Sequence, residues 1–180
     1  MFSRALYFSF SIRFKLVVNP VGFTGMAVAL SGGYLASKQL KIWDMKRRGF
    51  REAGIAKELD ISRQAVHKAV DSANGKVSQA LLETARLNKM KVTFLNPVAG
   101  VLTGYSSEFT TSVAITFSAR NGVQIWYKHE GDCENCEHLE TCRKTLQTEM
   151  QERNIIPSKA ISSGSPSKLA EYLIQKLTGD

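Results

Sequence analysis

The chain has 180 residues, 43% hydrophobic and 22% charged, enough to bury a core as one domain or two small ones and too apolar to be wholly disordered. Twenty-four lysines and arginines against 16 acids leave a net charge of +8, which favours an anionic partner. Three cysteines exclude a small secreted disulfide framework and no apolar run reaches the roughly 18 residues of a membrane helix, so a soluble, cytoplasmic protein without a membrane partner is expected.

Residues 1–34 are aromatic and basic, but Arg13 and Lys15 interrupt the apolar run that an export signal needs. The segment reads as an N-terminal extension, with Met26 as an alternative start.

Residues 35–90 read as a basic helical domain, and residues 37–91 carry a net charge of +7. Ser37 is a candidate cap for a helix running through Arg48, and Gly49 suits the position after its end. A short helix over residues 51–59 follows, then a tight turn at Asp60 and Ile61, then a helix capped by Ser62 and running to Ala73. The stretch Ile55-Ala56-Lys57-Glu58-Leu59-Asp60-Ile61-Ser62-Arg63-Gln64-Ala65-Val66 resembles the helix-turn-helix of DNA-binding regulators. Ala56 is small where two helices would cross, and Asp60 tolerates the positive φ of a turn better than most residues. With Leu59, Ile61 and Val66 inward, Ser62, Arg63, Gln64, His67 and Lys68 would project from the start of a major-groove recognition helix. Lys38, Lys41, Lys46, Arg47, Arg48, Arg51 and Lys57 are candidate phosphate contacts. Asn74-Gly75 is expected to end the recognition helix and let a fourth begin, giving three to four helices in all.

Beyond Met90 the hydrophobic period changes to two, and residues 91–180 read as a second, regulatory or dimerisation domain. Strands are expected over Lys91–Leu95, Val101–Ser106, Ser112–Ala119 and Val123–His129, with Asn121-Gly122 marking a type I′ hairpin. Val113, Ile115 and Phe117 share one face, and Ile125 and Tyr127 lie opposite them on the next strand. The expected fold class is α+β: an N-terminal helix-turn-helix followed by a small antiparallel sheet, C-terminal helices and a cysteine cluster.

All three cysteines, Cys133, Cys136 and Cys142, fall within ten residues, the first two in CxxC spacing. With His129 or His138 as fourth ligand they form a candidate Cys3His set, for which zinc is the first choice. An iron–sulfur cluster would need a non-cysteine ligand or a neighbouring subunit. A redox pair and inert thiols are the other readings of the same spacing. Cys142 would lie in the first turn of a helix reaching about Arg153, where backbone amides favour a thiolate, although nearby acids would raise thiol pKa values. A Ser-rich loop over residues 156–165 then leads to a last helix, with Ser165 as cap, Pro166 at the first turn and Gly179 at the end.

From Leu35 onward the arrangement resembles archaeal helix-turn-helix transcriptional regulators of the Tfx-like kind. The resemblance is carried by Leu35, Gln39, Gly49, Ile55-Ala56, Leu59, Ile61-Ser62 and Val66, about a third of the chain, with Asp60 departing from the usual glycine. It implies a non-enzymatic, sequence-specific regulator of transcription that binds double-stranded DNA. Such regulators commonly form homodimers on two-fold sites. The rival reading is a small zinc enzyme acting on nucleic acid or nucleotides. Against it, His129 and Glu130 are adjacent and too close to Cys133 for a deaminase arrangement.

Overall fold

The computed structural model describes residues 34–128 and 132–179. The N-terminal extension before Tyr34, the alternative start at Met26 and the candidate ligand His129 lie outside the described residues. The chain folds as α1 (Ser37–Arg47), α2 (Glu52–Leu59), α3 (Arg63–Leu87), β1 (Met90–Asn96), β2 (Val101–Ser106), β3 (Thr111–Ser118), β4 (Gly122–Tyr127), α4 (Leu139–Glu152), α5 (Lys159–Ser162) and α6 (Pro166–Thr178). This is an α+β chain in which helices precede a four-stranded antiparallel sheet of order β1-β2-β3-β4, and further helices follow it.

Local chemistry sets most of the helix ends. Ser62 accepts a hydrogen bond from the Ala65 amide at 3.1 Å, and Ser165 and Pro166 open α6. Gly49 has φ +91°, and the amides of Gly49 and Phe50 return to the carbonyls of Lys46 and Met45, a two-bond closure that satisfies the end of α1. At the start of α1 the expectation fails. The cap is Ala36, in extended backbone, and Ser37 is already helical, so no side chain caps this end.

Gly75 does not end a helix either. α3 continues through it for 25 residues, about 37 Å. The reason is tertiary: Val66, Val70 and Ala73 before the glycine and Val77, Leu81 and Ala85 after it form one buried stripe. Its first part packs against α1 and α2, its second against the sheet. A Cβ at Gly75 would meet nothing within 4 Å. Gly75→Ala is therefore expected to raise stability by up to about 1 kcal/mol, measurable as a shift in the denaturant midpoint at unchanged slope.

The strands match the period-two reading to within two residues at every end, and Val101–Ser106 matches throughout. The hairpin differs. Ser118 pairs with Gly122, so three residues turn the chain, and of Asn121 and Gly122 only Gly122 takes a positive φ, +64°. The wider turn presents the amides of Ala119 and Arg120 to the Glu152 carboxylate at 2.9 and 2.8 Å, anchoring it to α4.

Helices cover both faces of the sheet. Leu102, Val113, Ile115, Phe117 and Tyr127 pack with the second half of α3 and with Leu35 and Trp43. Val101, Ala114 and Trp126 pack with Leu146 and Met150 of α4 and Leu169 and Leu173 of α6. A third cluster, Ile42, Met45, Ile55, Ala56, Val66 and Val70, holds α1, α2 and the start of α3 together. α3 thus packs both with the N-terminal helices and with the sheet.

Candidate nucleic-acid interface and cysteine cluster

α2 and α3 meet through a turn in which Asp60 takes left-handed backbone, φ 49° and ψ 54°. The Ile61 amide returns to the Ala56 carbonyl at 3.0 Å, and Ile55, Ala56 and Val66 are buried beneath the turn. With those side chains inward, Ser62, Arg63, Gln64, His67 and Lys68 are all exposed along one end of α3. Beside them, Glu52 at the start of α2 receives Lys46 Nζ at 3.9 Å, Arg63 Nε at 3.8 Å and His67 Nδ1 at 3.4 Å. Asp71 Oδ2 approaches the other ring nitrogen of His67 at 3.3 Å. Arg63 keeps 77% of its side chain exposed, so Glu52 holds it loosely and leaves it free to reach a partner. Sequence reasoning missed Glu52, whose sole signal was its place in the first turn of α2.

The candidate phosphate contacts divide into two groups. Lys38, Lys41, Arg48, Arg51 and Lys57 are exposed, and Lys46 is partly so. Arg47 is not on the surface. Its side chain is 4% exposed and donates to Asp44 at 2.6 Å and Glu152 at 3.0 Å, with the guanidinium 4.6 Å from the Trp43 ring. It cannot reach a phosphate without leaving the core. Read locally, Arg47 is one of three consecutive cations, Lys46-Arg47-Arg48. Its partner lies 105 residues further on, where no local pattern reaches.

Glu152 belongs to a second buried group that sequence reasoning also missed. Glu149 is fully buried beside Arg153, whose Nη2 donates to the Phe117 carbonyl at 2.9 Å and whose Nη1 donates to the Glu149 carboxylate. Burial lowers the Arg153 guanidinium below the ordinary arginine value, with Glu149 opposing the shift and Arg47 adding to it. The i, i+4 spacing of Glu149 and Arg153, on a face shared with Leu146 and Met150, was the available signal.

The three cysteines are half-buried and none is in a disulfide. Cys133 and Cys136 sit in an irregular loop, and Cys142 lies in the first turn of α4, its amide bonded to the His138 carbonyl at 2.9 Å. The Cys133 thiol donates to Ser167 Oγ at 3.7 Å, which joins the loop to α6. His138 directs Nε2 to Glu137 at 3.3 Å. Among the described residues no three His, Cys, Asp or Glu side chains are assembled as a metal site.

Position in a first helical turn does not make Cys142 acidic. Burial, then Cys136 and Cys133, push its thiol up to about 11 from an ordinary 9.0. It stays protonated near neutrality, unlike an activated nucleophile. Between about 9 and 11 the unfolded chain gives up this proton while the folded chain keeps it. The stabilising contribution is therefore present below 9 and lost as the pH rises through 11. Discounted for the half of the group that solvent screens, it amounts to about 1 kcal/mol. Denaturant unfolding across this range is expected to show that alkaline loss in the native sequence and not in Cys142→Ser.

No protein-family profile, curated protein or solved structure matches the chain. Its function is read from the arrangement of its own side chains.

Proposed function

We propose that the protein is a sequence-specific DNA-binding regulator that lays the start of α3 in the major groove. The observation that carries this reading is the exposed row Ser62, Arg63, Gln64, His67 and Lys68 on a helix whose first turn is fixed by the Ser62 cap and by the left-handed turn at Asp60. Arg63 and Gln64 are suited to paired hydrogen bonds with guanine and adenine edges. Lys46, Arg48, Arg51 and Lys57 supply charge for flanking phosphates. The resemblance to archaeal regulators of the Tfx-like kind, and the two-fold sites such proteins read, supports a homodimer as the binding species.

In this reading the C-terminal cysteines hold zinc, for structure or for sensing. The donor chemistry fits, since three thiols within ten residues and two histidines offer a Cys3His set. Cys133 and Cys136 lie on the irregular loop that leads into α4, whose first turn carries Cys142. Binding has to displace the firmly held Cys142 proton, so affinity falls as the pH is lowered.

Equilibrium binding of the full chain to a duplex pool at increasing salt tests the DNA reading. The logarithm of the binding constant is expected to fall linearly with that of salt, by roughly 0.9 per phosphate contacted, and Lys57→Ala is expected to reduce the slope by about one contact. A protein that binds no duplex at low salt would not be this regulator.

A further inference from the structure

The face of the sheet under α6 is only half filled. At one end Val101, Thr116 and Trp126 pack under α4, with the Trp126 indole donating to Thr116 Oγ1 at 3.0 Å. At the other end the strands carry the small polar side chains of Thr103 on β2 and Ser112 on β3, with the Gly104 backbone beside them, next to the packed Ala114. Interiors are ordinarily packed without such gaps. What remains is a trough of about 510 Å³ crossing all four strands, from Thr93 on β1 to Trp126 on β4 and Lys128 beyond it, the size of a small-metabolite site.

The lining says what would enter. α6 turns Leu169, Ala170 and Leu173 into the core but sets Lys168, Glu171 and Gln175 along the trough. Lys128 stands on the opposite side, fixed by its backbone amide to the Ser112 carbonyl at 2.8 Å. Among the described residues neither lysine ammonium, nor Glu171, is in an ion pair. Two cations against one carboxylate select an anion. The hydroxyls of Thr93 and Thr103, 3.3 Å apart, with Ser112 and Ser167 offer hydrogen bonds in a row, while Trp126 and Ile174 add apolar wall.

We infer that this trough binds a small hydroxylated anion, a sugar acid or sugar phosphate in chemistry, with its charge between Lys128 and Lys168 and its hydroxyls on the threonine and serine row. Neither DNA nor metal takes part in this contact, so the site stands or falls apart from the regulatory reading. Ser167 lines the trough and also accepts from the Cys133 thiol, so an occupant would sit against the cysteine loop.

Calorimetric titration of the full chain with gluconate, a hexose monophosphate, inorganic phosphate and sorbitol tests the proposal. Saturable binding is expected for gluconate or the hexose monophosphate, with the stronger of the two naming carboxylate or phosphate as the preferred head. Sorbitol, which lacks charge, and inorganic phosphate, which lacks the polyol body, are expected to bind at least tenfold more weakly. Lys128→Glu and Lys168→Glu, both exposed positions, should each weaken binding tenfold or more while leaving the melting temperature of the unliganded protein unchanged. The inference is overturned if neither hydroxylated anion binds, if inorganic phosphate binds as well as they do, or if binding survives both charge reversals.

Discussion

Glu152→Ala is expected to destabilise the protein by about 3–5 kcal/mol, the scale for breaking a buried ion pair. The Glu152 carboxylate is 1% exposed and accepts from Arg47 at 3.0 Å and from the amides of Ala119 and Arg120. Removing it leaves a guanidinium that is itself 4% exposed, and already has Nε and Nη1 without partners among the described residues, with Asp44 as its remaining carboxylate. The stacked Trp43 ring and Asp44 remain, but the hairpin turn loses its anchor. Replacing both partners, as in Arg47→Met with Glu152→Leu, is expected to recover most of the loss, because no charge is then left buried and alone. A double-mutant cycle from denaturant unfolding reads this coupling, and additive losses would show that Arg47 and Glu152 act separately.

The second large effect is on recognition. Arg63→Ala and Gln64→Ala are each expected to cost about 1–3 kcal/mol against the preferred base pair and little against other sequences. Lys46→Ala or Arg48→Ala should instead weaken binding to every sequence and flatten its salt dependence. Arg47→Ala should do neither in the manner of a phosphate contact, since its side chain faces Glu152 and not solvent; its effect is on stability. Competition binding with matched duplexes separates the three behaviours. Equal losses on all sequences from Arg63→Ala would count against base readout.

What could be read from the sequence was whatever local chemistry decides. The strands alternate, and β2 needed no correction, because its period and its flanking turns lie within a few residues of each other. Asp60 was legible as a turn residue because few side chains accept φ near 49°. Gly75 was misread because a local helix-breaking signal was outweighed by a stripe of Val66, Val70, Ala73, Val77 and Leu81 that packs on two different clusters. The basic row at the start of α3 could be listed from spacing, but Arg47 could not be removed from the surface without Glu152, and Glu52 could not be seen to meet Arg63 and His67. For Cys142 the sequence set first-turn amides against nearby acids; the thiol is raised, but by burial and by Cys136 and Cys133, which the local sequence does not display. The trough under α6 was invisible for another reason. It is assembled from small and polar side chains on separate strands and on α6, Thr93, Thr103, Ser112 and Ser167 among them, which no one segment displays.

The basic charge that first suggested an anionic partner thus has distinct destinations. Part of it is spent inside the fold, at Arg47 and Arg153. Part lines the α6 trough at Lys128 and Lys168. A third part, including Arg51, Lys57, Arg63 and Lys68, stands exposed on α3's start and the elements beside it, where the proposed function needs it. The most direct test of that function is selection of bound duplexes from a randomised DNA library by the full chain and by Arg63→Ala in parallel. Enrichment of one defined motif by the native protein, with relaxed preference at one position of that motif in Arg63→Ala, is the predicted result; a native protein that enriches no sequence would contradict it.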